Sequence, residues 1–169
     1  MGSRLFERDG MLLWSEPSSA ESHRIVAARG DRQAVIVPDL AAPPDALVAV
    51  GGRVIWRDPA GVHVLADGEV MDLPDEIDVR CLAASATAAY TSRPAGEQSV
   101  IGEVGGGVIA KVPGQIDRLL AIGDHLAWTC AGGHEVFAQP IAGGAPSIVY
   151  GATEALAMCG DGDHHLVIT

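Results

Sequence analysis

The sequence predicts an all-β fold, a β-propeller or propeller fragment of four-stranded antiparallel blades. Three observations predict it. Short apolar runs of strand length alternate with Gly-, Pro- and Asp-rich gaps along all 169 residues. An aromatic residue returns in the second run of each group, at Trp14, Trp56, Tyr90 and Trp128, with Ile168 in fifth place. Successive spacings are 42, 34, 38 and 40 residues, and self-similarity near 40 residues marks four-stranded propeller blades. Finally, no good case exists of apolar residues at helical spacing over a stretch free of Gly and Pro. Residues 75–89 come closest, yet their VRCL and AYT runs are better strands. A lone four-stranded sheet covers neither of its faces, whereas blades stacked around an axis bury both. A β-sandwich is the main alternative, because it needs no repeated column.

The units of this single repeat domain follow in order. The first, 4–39, reads RLFER, MLLWS, SHRIVAA and QAVIV and ends at an expected turn, Pro38-Asp39. The second, 45–75, reads LVAV, RVIWR, GVHVLA and EVMDL, with turns at Gly51-Gly52, Pro59-Ala60-Gly61 and Asp67-Gly68. Asp-Gly is a strong hairpin signal, because both positions of the favoured turn need positive φ. The third, 78–114, reads VRCLAA, AAYTS, SVIGEV and VIAKV, with Gly105-Gly106-Gly107 between its last two strands. The fourth, 117–151, has the clearest pattern: LLAI, HLAWT, EVFAQPI and PSIVY, separated by GD, AGG and AGGA. A half unit, 154–169, holds ALAMC and HLVIT. Pro43-Pro44 fall between units and Pro74 at the end of the second, past its last strand, where a missing donor costs no ladder hydrogen bond.

A net charge of −11 argues against a nucleic-acid surface and disfavours an anionic membrane surface. No apolar run reaches spanning length, so no membrane insertion is expected. Cys81, Cys130 and Cys159 are odd in number and widely spaced, without a CxxC pair. They form neither a disulfide framework nor a zinc signature, and read as small buried hydrophobes. No signal peptide is evident, and the Met1-Gly2-Ser3 start resembles a cloning remnant, which leaves the compartment open.

An acidic residue stands 11 to 14 positions before each later member of the aromatic column: Asp45, Asp78, Asp117 and Glu154. First strands of blades line a propeller axis, so these four could ring a channel mouth and attract a cation or basic ligand. The competing expectation is that each acid bonds local backbone amides at a turn between blades, with Arg80 and Arg118 near enough to neutralise some of the charge. The aromatic column likewise admits sugar binding, but inter-blade packing is the expected role.

Gly160-Asp161-Gly162-Asp163-His164-His165 suggests calcium or a transition metal, yet it lacks further oxygen ligands, and adjacent strand histidines point to opposite faces. A polar hairpin turn is the expectation. His23, His63, His125 and His134 have neither triad nor metal spacing. No Walker loop, GxGxxG, HExxH or G-x-S-x-G occurs, so no cofactor, metal or catalytic residue is expected.

The columns of aromatic, then Ser, Thr or Arg, then Asp, Glu, Ser or Cys resemble the YWTD-type propeller repeat. In the fourth unit, Pro140-Ile141-Ala142-Gly143-Gly144-Ala145-Pro146 looks like the Pro-Leu-x-Gly-Gly-x-Pro turn of bacterial relatives of that repeat. The resemblance covers the whole chain loosely and is tight in the second and fourth units. The third unit lacks the Gly-Gly-x-Pro turn, and no unit has the full Tyr-Trp-Thr-Asp. The family implies a fold, since its members range from receptor modules to lyases.

Such rings usually close at six or more blades, and four and a half units leave an apolar face at each end. The expected function is therefore a non-enzymatic interaction or scaffold module, a partial ring completed by self-association through its open blade faces. An unknown protein or small ligand is a further expected partner. Three alternatives stand beside it: a ligand-binding or lyase-like propeller with an axial site, a small closed ring of four or five blades, and a trimmed or engineered chain.

Overall fold

The structure, a computed structural model, describes residues 5–8, 10–76, 78–151, 158–160 and 166–168, with side chains described within 10–76 and 78–151. The chain divides into two compact units, Met1–Asp75 and Glu76–Thr169. Every element among the described residues is a strand or a turn, and the fold is all-β.

The first unit holds two antiparallel blades. Blade 1 contains β1 (Leu5–Arg8), β2 (Met11–Pro17), β3 (His23–Arg29) and β4 (Arg32–Leu40); blade 2 contains β5 (Ala46–Val50), β6 (Arg53–Asp58), β7 (Gly61–Ala66) and β8 (Glu69–Leu73). Each is a meander whose strands pair in sequence order. Asp67 and Gly68 have φ of 52° and 83°, the left-handed pair that a two-residue hairpin requires. That turn sets Ala66 against Glu69 and fixes the register of all five pairs behind it.

The expected turn at Pro38-Asp39 is not there, because β4 runs through both residues to Leu40. Pro38 is tolerated since β4 is an edge strand, and the β3–β4 pairing is irregular on either side of Ile25. The extension matters for packing. Val37 and Leu40 are buried and join Leu13 and Ile25 of blade 1 against Leu47, Ala49, Val54 and Trp56 of blade 2.

The second unit holds blade 3, with β9 (Cys81–Ala84), β10 (Ala89–Ala95), β11 (Gln98–Glu103) and β12 (Val108–Pro113), and blade 4, with β13 (Ile116–Ile122), β14 (His125–Cys130), β15 (Glu135–Pro140) and β16 (Ser147–Gly151). A two-stranded sheet, β17 (Met158–Gly160) and β18 (Leu166–Ile168), follows, with β17 beside β13. Its core lies between blades 3 and 4, where Cys81, Ala83, Tyr90, Ile101 and Val112 meet Ile116, Leu119, Ala121, Leu126 and Trp128.

Candidate functional site

The aromatic column shows how these blades are built to pack. Leu5 pairs with Trp14, Leu47 with Trp56 and Leu119 with Trp128, so the three tryptophans hold one register position. Tyr90 does not share it. In blade 3 Thr91 pairs with Leu82, which leaves Tyr90 one residue away and on the opposite face of its sheet. Trp56 packs into blade 1 and Tyr90 and Trp128 into the core between blades 3 and 4, which makes packing their role. Trp56 and Trp128 are 1% and 2% exposed and stack on the residues opposite them, His63 and Phe137, at centroid distances of 5.3 and 5.9 Å. Ile168 lies on β18, outside the described side chains.

Trp14 stands apart. Met11 and Leu13 point into the core shared with blade 2, so Leu12, Trp14 and Glu16 lie on the other face of β2. There Trp14 is half-buried, Leu12 is 38% exposed, and Val35, two strands across, is 45% exposed. A polar clamp holds the indole: its Nε1–H donates to Glu16 Oε2 at 2.8 Å, and Arg24 donates to Glu16 Oε1 through Nε at 2.8 Å and Nη2 at 2.5 Å. The hydrogen bond from Trp14, then those from Arg24, hold the Glu16 carboxyl below its ordinary pKa. On blade 4, the face turned away from blade 3 carries a smaller apolar set: buried Ala127 and Val136 with partly buried Leu120 and Ile122.

A polar cluster that the sequence reading missed sits on the Trp56 face of blade 2. His63 faces Trp56 on one side and Asp72 on the other. Its Nδ1 is 2.7 Å from Asp72 Oδ1 and its Nε2 is 3.0 Å from Asp58 Oδ1. Burial pulls the pKa down, but the hydrogen bonds to Asp58 and Asp72 outweigh it and raise it. Both ring nitrogens are thus engaged by carboxylates while the ring stacks on an indole, an arrangement that ties β7 to its neighbours. Among the described residues, no group of three or more His, Cys, Asp or Glu is placed to hold a metal ion.

The acidic column divides. Asp45 and Asp117 are equivalent: each immediately precedes the residue paired with a second-strand Arg57 or Thr129. Asp45 Oδ1 accepts from Arg57 Nε at 2.6 Å, and Asp117 Oδ1 accepts from Thr129 Oγ1 at 2.6 Å. These bonds tie side chain to side chain within one blade, where backbone amides were the expected partners. Asp78 is exposed with φ of 57°, two residues before the equivalent position, which Arg80 occupies; the Arg80 amide donates to Ser92 O as the Asp45 amide donates to Arg57 O. Glu154 and the Asp161–His165 run lie outside the described residues. Cys81 is buried and Cys130 half-buried, the latter with its thiol pKa pushed up by burial and then by Asp117, while the Cys159 side chain is not described.

Blades of this form define the class: the chain has a β-propeller fold. It is similar to a solved nidogen/laminin complex, at 17% identity and a TM-score of 0.63, over 95% of this chain and 68% of that one. It is similar also to Hsv2 of Kluyveromyces lactis, at 12% identity and a TM-score of 0.55, over 82% and 47%. A third likeness is to PorZ, a surface component of the type-IX secretion system of Porphyromonas gingivalis, at 12% identity and a TM-score of 0.57, over 92% and 28%. These neighbours are β-propellers, and the chain spans about half or less of the second and third. No protein-family model and no curated protein matches the sequence.

Proposed function

We propose that the chain is a non-enzymatic interaction module of the YWTD-like propeller class, a partial ring completed by self-association through blade faces. One observation carries the reading. Trp14 holds the register position from which Trp56 packs on blade 1 and Trp128 on blade 3, yet it points away from blade 2. Its face is built as a blade–blade contact, and the partner it fits is the opposite face of a blade from a second copy. Such a contact joins unlike surfaces, and a heterologous contact closes into a ring or grows by repetition. The nidogen/laminin neighbour, a propeller from a protein complex, supports a binding role for the architecture.

The experiment is light scattering across a hundredfold dilution, with Trp14→Ala beside the parent. The expected result is a mass that is a multiple of 17.4 kDa for the parent, and a shift toward monomer for the variant. A parent that stays monomeric at every concentration overturns self-association.

A further inference from the structure

We infer that His63 is a pH-operated latch on the outer strand of blade 2: the ring ties β7 to β8 through Asp72 while it carries two protons, and drops that tie when it loses one. This goes beyond the blade-face contact, which Trp14 carries on another blade.

Protons decide how many bonds the ring keeps. An ionised carboxylate only accepts hydrogen bonds, and a neutral imidazole has a single N–H to donate. His63 meets two such acceptors, Asp58 Oδ1 at 3.0 Å from Nε2 and Asp72 Oδ1 at 2.7 Å from Nδ1. Both contacts are hydrogen bonds only for the doubly protonated ring, so one of them fails when the ring becomes neutral.

Exposure decides which one. The Asp58 side chain is 10% exposed, and its Oδ1 also accepts from the Ala60 amide at 2.7 Å in the turn that joins β6 to β7. Setting that carboxylate against an imidazole lone pair would leave a buried charge short of a donor. The Asp72 side chain is 81% exposed and turns into water without such a loss. The neutral ring therefore keeps its Nε2–H on Asp58 and presents a lone pair to Asp72, which swings away.

No other charge replaces the lost bond. Asp58 and Asp72 are the charged groups that act on the ring. β5, β6 and blade 1 bring apolar side chains to this face, Leu47, Trp56, Leu13 and Val37 among them. His23, Arg29 and Arg32 share that side of blade 1, but at the ends of β3 and β4, and they do not act on the ring. Arg57 and Glu69 point to the opposite face of blade 2. The strand released has little else to hold it. β8 pairs only with β7 among the described residues, and the bond from His63 to Asp72 is its one side-chain hydrogen bond there. Against burial, which lowers it, the bonds to Asp58 and Asp72 raise the ring's pKa. The tie is therefore complete below the ordinary 6.5 and lost as the pH rises through the folded value.

The full chain is followed by two readouts, from below pH 6.5 to above the midpoint that the ring shows. Nitrogen NMR of the ring, assigned by the signals that His63→Phe removes, reads protonation and tautomer. Hydrogen exchange, corrected for the intrinsic rate at each pH, reads β8. The β7–β8 ladder closes at Ala66 and Glu69, so its alternation sets the amides of Met71 and Leu73 in bonds to β7. As the ring titrates, their protection relative to the amides of β6 is expected to fall roughly twofold to fivefold, the scale of an exposed charged pair. The neutral ring is expected to hold its proton on Nε2. Asp72→Ala is expected to show the lowered protection at every pH while its ring still titrates. Protection at Met71 and Leu73 that ignores the ring's titration overturns the latch. So does a neutral ring protonated on Nδ1, since Asp58 would then be the partner released. A fall with pH that persists in Asp72→Ala overturns it too, because another group would be responsible.

Discussion

Trp14, Trp56 and Trp128 occupy one position, and for the first two the residue two places on decides how the indole is served. Glu16 accepts from Trp14 Nε1, whereas Asp58 is committed to His63 and to the Ala60 amide, leaving Trp56 Nε1 buried without a partner. Blade 2 therefore relies on His63 where blade 4 uses Phe137 opposite its tryptophan. The sign of the consequence follows from linkage. Because the folded pKa of His63 is raised, its contribution is full below the ordinary value of 6.5 and is lost as the pH rises through the folded value. His63→Phe, which installs the blade 4 arrangement, is expected to flatten the melting temperature across that window while the parent falls. Thermal melts of both proteins at closely spaced pH check it, and parallel curves would remove His63 as the titrating group.

At the scale of the element, turns set register, and register decides which residues meet. Gly133 shows how little room a turn leaves: a Cβ there would lie 2.8 Å from the Cys130 carbonyl oxygen, which also accepts from the Gly133 amide. Gly133→Ala is expected to cost roughly 1–3 kcal/mol, whereas Gly107→Ala, with open space around it, stays within about 0.5 kcal/mol. Urea melts of the two variants check the contrast, and equal midpoints would reject it. The same dependence explains what the sequence could and could not reveal. Gly-Gly, Asp-Gly and Gly-Asp at the hairpins made the strands, the blades and the all-β class legible. Asp67-Gly68 even implied that His63 faces Asp72, had the pairs been counted back from the turn. Tyr90 was misplaced because the β9–β10 turn, Ser85-Ala86-Thr87-Ala88, carries no glycine. It is closed by Ser85 Oγ accepting from the Thr87 and Ala88 amides, and that closure sets Ala84 against Ala89. One residue of slip there moves an aromatic ring to the other face. Asp78 was misjudged for a related reason, since acids spaced alike in sequence need not share a register across loops of different length.

For the whole molecule, charge and apolar faces pull in opposite directions, and salt separates them. The chain carries −11 with a pI near 4.7, so copies repel at neutral pH. The proposed Trp14 face relies on packing, which is not screened as ion pairs are. The Debye length shrinks from about 10 Å at 0.1 M salt to about 3 Å at 1 M, which removes most of the repulsion. Association of the parent is therefore expected to strengthen over that range. Were acids of the Asp45 and Asp117 kind meeting a cationic patch instead, it would weaken. Salting-out is controlled by the Trp14→Ala variant, which is expected to stay closer to monomer at both ionic strengths. Light scattering of the two proteins at 0.1 M and 1 M salt gives the answer in one experiment: a parent whose mass falls with salt would place the contact on charged residues, away from the Trp14 face.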